Sequence, residues 1–157
     1  MSTVSVLILT RNEEQNIKDC IESCQSFANE ILIVDDGSED HTVAIAESLG
    51  AKVLHRSMNG DWGGQQTFAI EQASSHWVFF IDADERVSPE LNEEILKAVN
   101  SGEQKAYWLS RHSLFRHNKA SHGTMRPDKV LRLMPKEGAT VEGFVHEAFI
   151  SPFPKDK

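Results

Sequence analysis

The chain has 157 residues, 39% hydrophobic and 25% charged, with a formal net charge of −8. That length holds one domain with a real core, the composition is that of a soluble globular protein, and the acidic balance argues against nucleic acid as a bulk partner. The N-terminus has no cationic-then-apolar signal pattern and no run approaches the ~20 apolar residues of a membrane span, so the expected location is the cytoplasm, with at most peripheral membrane contact.

In chain order, residues 4–9 (VSVLIL) read as a first buried strand, since a short apolar run bounded by polar residues is covered on both faces. Thr10-Arg11-Asn12 breaks it, and Glu13-Glu14 place carboxylates in the first turn of a helix running to about Phe27, where the helix dipole favours them. Residues 31–34 (ILIV) form a second strand ending in Asp35-Asp36-Gly37-Ser38. Asp40 can cap a helix that stops at Gly50, and residues 52–55 make a third strand. Residues 57–64 (SMNGDWGG) read as a Gly-rich loop and 65–74 as a helix.

Residues 76–85 (HWVFFIDADE) carry the longest apolar run into a cluster of acid. Ser88-Pro89 starts a further helix with proline at its first position, ending near residues 100–102. Strands are expected over 106–115 and 130–134, while 141–150 is ambiguous. The alternation implies a parallel sheet with right-handed crossovers over residues 1–104, followed by a β-richer half over 105–157, all within one domain.

Charge follows the same division. Residues 1–104 carry 19 acidic and 6 basic side chains, residues 105–136 carry 8 basic against Asp128 alone, and residues 137–157 carry 4 acidic and 2 basic. A basic segment after an acidic domain suits an anionic ligand gripped from one side; a solvated charged face is the plainer reading. Cys20 and Cys24 fall on the helical stripe Ile17, Cys20, Ile21, Cys24, Phe27, which makes them core thiols rather than a metal or redox pair. His112, His117 and His122 recur every five residues, a spacing that rotates them off one helical face and does not suit a metal. Trp62 and Trp108 are candidates for stacking on a ligand ring, with core packing the stronger reading for Trp108.

In a parallel sheet, strand ends lie on one edge, so Asp35-Asp36 and Asp82/Asp84 can face one crevice. Asp-Gly-Ser after the second strand is equally good turn chemistry. A dinucleotide site would need a glycine fingerprint after the first strand, yet the first glycine is Gly37. A metal is then the natural holder of phosphate. On a regular strand, Asp82 and Asp84 stand about 6.6 Å apart, against metal–oxygen bonds of about 2.1 Å for a small hard ion. Unless the strand bends, one acid serves the ion and the other a ribose or sugar hydroxyl.

Three stretches, VSVLILTRNEE at 4–14, IVDDGSEDHT at 33–42 and WVFFIDADE at 77–85, resemble in order and spacing the motifs of family 2 glycosyltransferases of the GT-A fold. Asp-Ala-Asp-Glu, Val-Leu-Arg-Leu at 130–133 and Gly-Phe-Val-His-Glu at 143–147 look like the lipopolysaccharide-core β-1,4-glucosyltransferase branch. The resemblance covers residues 4–150. It implies a Rossmann-like sheet and an inverting transfer of a hexose, glucose foremost, from a UDP-sugar to a saccharide or glycolipid acceptor. It implies that Thr10, Arg11 and Glu13 line the nucleotide pocket and Asp36 meets the uracil ring. Asp82 and Ala83 lie by the ribose or donor sugar, and Asp84 binds Mg²⁺ or Mn²⁺. Glu147 is the implied general base, with Asp128 as runner-up and His146 near the diphosphate or metal.

Two departures stand against the family pattern. Gln66-Thr67 replace a frequent Arg-Asn, which removes a cationic contact to the nucleotide. Family members are also usually longer after the Val-His-Glu region, so the acceptor half is expected to be incomplete. The rival readings are a nucleotide-sugar-binding fragment without transfer, and a phosphoryl-transfer enzyme with Asp82 as nucleophile. The second usually wants a hydroxyl residue two after Asp84, where Arg86 stands.

Overall fold

The apolar runs become strands and the amphipathic stretches between them become helices. The computed structural model describes residues 2–111, 128–142, 148–150 and 155–156. Its first half runs β1 (Val4–Thr10), α1 (Ile17–Cys24), β2 (Glu30–Asp35), α2 (Thr42–Ser48), β3 (Lys52–His55), α3 (Trp62–Gln72), β4 (Trp77–Phe80) and α4 (Pro89–Val99). Then come β5 (Ala106–Arg111), β6 (Asp128–Pro135), β7 (Thr140–Glu142), β8 (Ala148–Ile150) and β9 (Lys155–Asp156).

Seven of these strands form one sheet in the order β3-β2-β1-β4-β6-β5-β9. The first four are parallel, β6 runs antiparallel to both β4 and β5, and β9 lies parallel to β5. β7 and β8 pair separately as an antiparallel ribbon. The mixed, mostly parallel α/β sheet and the β-richer second half are both present. β1 sits between β2 and β4, so the winding direction reverses at its carboxyl end, the position where open α/β sheets bind ligands.

Side-chain alternation along each strand divides the core in two. Val4, Val6, Ile8, Ile33, Trp77, Phe79 and Leu133 face α1, α2 and α4, meeting Ile17, Cys20, Ile21, Cys24, Ala46, Ile95 and Val99. Leu7, Leu32, Val34, Val78, Phe80 and Met134 face α3, meeting Ala69, Ile70 and Ala73. Trp77 is 1% exposed and Phe79 meets Phe27 edge to face at 5.6 Å. Both thiols are buried, as the stripe requires. No helix among the described residues is long and apolar enough to cross a membrane.

Several boundaries differ from expectation for physical reasons. α1 begins at Ile17 and ends at Cys24, shorter at both ends than the expected helix. The amides of Glu13 and Glu14 are taken by side chains at the start of α2 and just before it, Thr42 Oγ1 at 2.7 Å and Asp40 Oδ2 at 3.1 Å, so those carboxylates stand outside the first turn. α3 begins at Trp62 instead of 65, because Asp61 caps it by accepting the Gly64 amide at 2.8 Å. A β-carbon on Gly64 would strike that Asp61 carboxylate at 2.3 Å, so the Gly-Gly belongs to the cap and not to a loose loop. As expected, Ser88 caps α4 with Pro89 in its first turn. Gly50, at φ +91°, stops α2 with Gly50 N–H to Glu47 O and Ala51 N–H to Ala46 O, the paired bonds of a Schellman ending.

Candidate active site

Three loops leave the carboxyl edge of the parallel strands side by side. The loop after β1 carries Arg11, Asn12 and Glu13, the loop after β2 carries Asp36 to Asp40, and the turn after β4 carries Asp82 to Glu85. The first two are laced together. Asn12 takes the left-handed φ of 54°, which asparagine tolerates. There its amide donates to Ser38 Oγ at 2.8 Å and its side-chain oxygen accepts the Glu39 amide at 2.7 Å. Glu14 Oε1 accepts both the backbone amide and the ring of His41. The backbone N–H of His41, then its ring, hold the Glu14 carboxyl below the ordinary carboxylate value.

The adjacent aspartates of β2 separate cleanly. Asp35 is 1% exposed and accepts the Thr10 hydroxyl at 2.6 Å, the Ser38 amide at 2.8 Å and the Ser38 hydroxyl at 2.6 Å. It is a structural anchor. Asp36 accepts the Met58 amide at 3.0 Å and meets the exposed Arg11 guanidinium at 3.5 Å, keeping part of its carboxylate open at the edge. Thr10, expected in the nucleotide pocket, is buried with its hydroxyl on Asp35. Glu13 is half-buried and accepts from the Asn16 side chain at 3.1 Å.

β4 ends at Phe80, and the chain then folds into a tight turn in which the Glu85 amide donates to Asp82 O at 2.9 Å. The strand spacing that separated Asp82 from Asp84 is therefore gone. What separates them instead is their partners. Asp82 Oδ2 lies 3.5 Å from Arg132, whereas Asp84 is exposed and has no hydrogen bond or ion pair among the described residues. Ala83 is buried beneath the turn.

The pairing of Glu85 with Arg132 is what sequence reasoning missed, since it looked to Arg86 or another neighbour as the partner of Glu85. Glu85 Oε1 accepts the Asp82 amide at 2.8 Å and an Arg132 N–H at 2.9 Å. Arg132 also donates to Phe80 O at 3.0 Å. Arg132 reaches this position from a β-bulge. Tyr107 pairs with Leu133 and Trp108 with Leu131, leaving Arg132 as the extra residue, and bulges re-aim side chains in this way. A charged residue within the apolar run Val-Leu-Arg-Leu was the available signal.

On α3, Gln65 holds Arg56 through both ends of its amide, at 2.7 Å each, and Arg56 covers the Phe68 ring at 5.3 Å. Gln66 is buried, and its Oε1 has no partner among the described residues. Trp62 is 44% exposed in the first turn of α3, open to a stacking partner. Asp128 begins β6, opposite Arg111; β6 is antiparallel to β4 with Leu133 level with Phe79, so Asp128 lies past Phe80 at the same edge. Glu147, His146, His112, His117 and His122 lie outside the described residues, as does the side chain of Trp108.

No group of three His, Cys, Asp or Glu side chains among the described residues can hold a metal by itself. The donor set fits a different kind of ion. A small hard divalent cation is commonly held by one or two carboxylates plus the phosphates of its substrate, and an exposed Asp84, unpaired among the described residues, beside Asp82 supplies that number.

Residues 5–152 match the model of the family described as glycosyl transferase family 2. The uncharacterized glycosyltransferase RT0209 of Rickettsia typhi is 34% identical over 163 residues, covering 99% of this chain and 55% of that protein. The lipopolysaccharide core biosynthesis glycosyltransferase LpsC of Rhizobium meliloti is 39% identical over 109 residues, covering 67% of this chain and 40% of LpsC. The chain thus spans about half the length of the curated relatives it matches. Among solved structures, S. aureus TarS 1–349 in complex with UDP superposes with a TM-score of 0.63 at 22% identity, covering 79% of this chain and 38% of that one. Glucosyl-3-phosphoglycerate synthase from Mycobacterium tuberculosis, in complex with Mn²⁺, UDP and phosphoglyceric acid, gives 0.53 at 25% identity, covering 68% of this chain and 43% of that one. The likeness to TarS is one of fold, and it agrees with the GT-A arrangement expected from the motifs.

Proposed function

The chain belongs to glycosyl transferase family 2, and from that premise we propose a metal-dependent, inverting transfer of a hexose, glucose foremost, from a UDP-sugar to a saccharide acceptor such as lipopolysaccharide core. One observation carries the reading. Asp36 and the Asp82–Glu85 turn flank the carboxyl end of β1 at the switch point of the sheet, with Arg11 beside Asp36 and Asp84 unpaired among the described residues. The UDP and Mn²⁺ in the mycobacterial synthase support the donor and the ion, and the name of LpsC supports the acceptor class.

In this reading Arg11, Glu13 and the Thr10 backbone line the nucleotide pocket and Asp36 receives a uracil N–H. Asp82 and Ala83 border the ribose or donor sugar, and Asp84 holds Mg²⁺ or Mn²⁺ against the diphosphate. The ion, when bound, neutralises charge on the departing nucleoside diphosphate. Glu147 removes the proton of the acceptor hydroxyl, with Asp128 as the alternative base. Residues 1–104 serve the donor and residues 105–157 the acceptor, on the cytoplasmic side of a membrane that the protein touches peripherally if at all.

Calorimetry of UDP with and without Mn²⁺ tests this directly. The wild-type chain should bind UDP more tightly with Mn²⁺, and Asp84→Asn should lose that increment while melting at the same temperature. Equal UDP affinity in the variant would sink the metal assignment.

A further inference from the structure

We infer that Arg132 is a positioning residue for the metal-carrying turn, holding Asp82–Glu85 in the shape that leaves Asp84 free for an ion. This rests on the proposed donor chemistry and adds to it a residue with no assigned part. The turn is fastened from below at three points by one side chain that is only 12% exposed. Its guanidinium donates to Phe80 O at 3.0 Å, the last strand residue, and to Glu85 Oε1 at 2.9 Å, the last turn residue. A second nitrogen lies 3.5 Å from Asp82 Oδ2.

Glu85 completes the device. The same Oε1 that meets Arg132 accepts the Asp82 amide at 2.8 Å, and the Glu85 amide donates back to Asp82 O at 2.9 Å. Arg132 and Glu85 thereby hold each end of the turn against the other, and both of their side chains are mostly shielded. Asp82 and Asp84 stay exposed. A planar guanidinium serves this geometry because its donors fan out within one plane. The bulge matters for the same reason, since on a regular β6 Arg132 would follow strict alternation between Leu131 and Leu133, whereas these two residues face opposite core layers.

Outer residues that orient carboxylate ligands typically control metal affinity by about 10–100-fold when removed. The test uses the full chain and three variants, Arg132→Met, Arg132→Lys and Glu85→Gln. Two readouts separate positioning from general damage. One is amide hydrogen exchange at Asp82, measured with no ligand. The other is the Mn²⁺ concentration giving half-maximal UDP binding, set against UMP affinity in EDTA.

Arg132→Met should speed exchange at Asp82 and raise the Mn²⁺ half-point by about tenfold or more, with a distinctly smaller loss of UMP affinity in EDTA. Glu85→Gln should move both readouts the same way by less. Should Arg132→Met fail to fold, Arg132→Lys carries the test, because one ammonium can stand in for the nitrogen that serves Phe80 O and Glu85 but leaves no second nitrogen to face Asp82. An unchanged Mn²⁺ half-point in a folded Arg132 variant overturns the inference, as does an equal loss of UMP binding. A wild-type chain whose UDP binding ignores Mn²⁺ overturns the donor chemistry, and the inference with it.

Discussion

The Thr10 hydroxyl donates to Asp35 Oδ1 at 2.6 Å, across the last rung that joins β1 to β2. With Ser38 donating twice to the same carboxylate, Asp35 is committed to the scaffold and its neighbour Asp36 is left to face the crevice. Asp35→Ala would strand three buried or half-buried donors, at a cost of about 3 kcal/mol in unfolding free energy. Asp36→Ala removes bonds to Met58 and Arg11 at a partly exposed site and should cost about 1 kcal/mol or less. UDP affinity should fall about tenfold or more in the Asp36 variant. Denaturant titration and UDP calorimetry on the two variants check the separation, which the opposite ranking in either measurement would refute.

Cys20 and Cys24 are both fully buried on the stripe that α1 presents to the sheet. Burial pushes the Cys24 thiol up to about 11 and the Cys20 thiol further, so neither is a thiolate at neutral pH. Native protein at pH 8 should therefore resist alkylation by iodoacetamide for hours, while protein in guanidinium is labelled at both positions. Mass spectrometry reads the outcome, and rapid native labelling would place a thiol outside the core.

The lacing of the first two loops should show in the acid limb of stability. Glu14 is held low by the His41 amide and ring. Asp40 is also held low, since burial pushes its carboxyl up but the Thr42 hydroxyl and amide and the Glu14 amide outweigh it. A folded carboxyl depressed below its unfolded value stabilises the fold above the unfolded value, and that stabilisation is lost as pH falls through the folded one. The urea midpoint should thus hold steady from pH 7 to about 5 and decline below about 4. Glu14→Gln combined with Asp40→Asn should flatten that decline. An unchanged slope in the double variant would show that the lacing is not its source.

What could be read in advance depended on whether the cause was local. Apolar runs located β1, β2 and β4 because burial on both faces needs nothing but sequence-adjacent residues, and Pro89 and Gly50 marked α4 and α2 through their own backbone limits. The start of α1 was misjudged because the Glu13 and Glu14 amides bond to Thr42 and Asp40, partners that only the folded chain brings near. The start of α3 was local after all, but Asp61 as a cap was hidden behind the loop-like look of its two glycines. In the site, Asp36, Asp82 and Asp84 were visible as acid at strand ends. The parts played by Glu85 and Arg132 were not, because a bulge is defined by the register of the opposite strand, and a charge inside an apolar run marks an oddity without showing where it points.

The general base is the last assignment to test, and its two candidates stand differently. Asp128 is placed by the backbone of β6 at the carboxyl edge, while Glu147 stands on its match to the Val-His-Glu motif. A base acts on the acceptor hydroxyl and not on the nucleotide, so its loss should spare donor binding and lower turnover by about 10²–10⁴-fold. Glu147→Gln is expected to show that split, with UDP-sugar affinity unchanged and kcat at the lower limit of detection. Asp128→Asn is expected to keep most of its turnover. The measurement is initial rate of UDP release at saturating donor with and without a saccharide acceptor, since release without acceptor reports hydrolysis alone. Near-wild-type turnover in Glu147→Gln, together with collapse in Asp128→Asn, would transfer the role to Asp128.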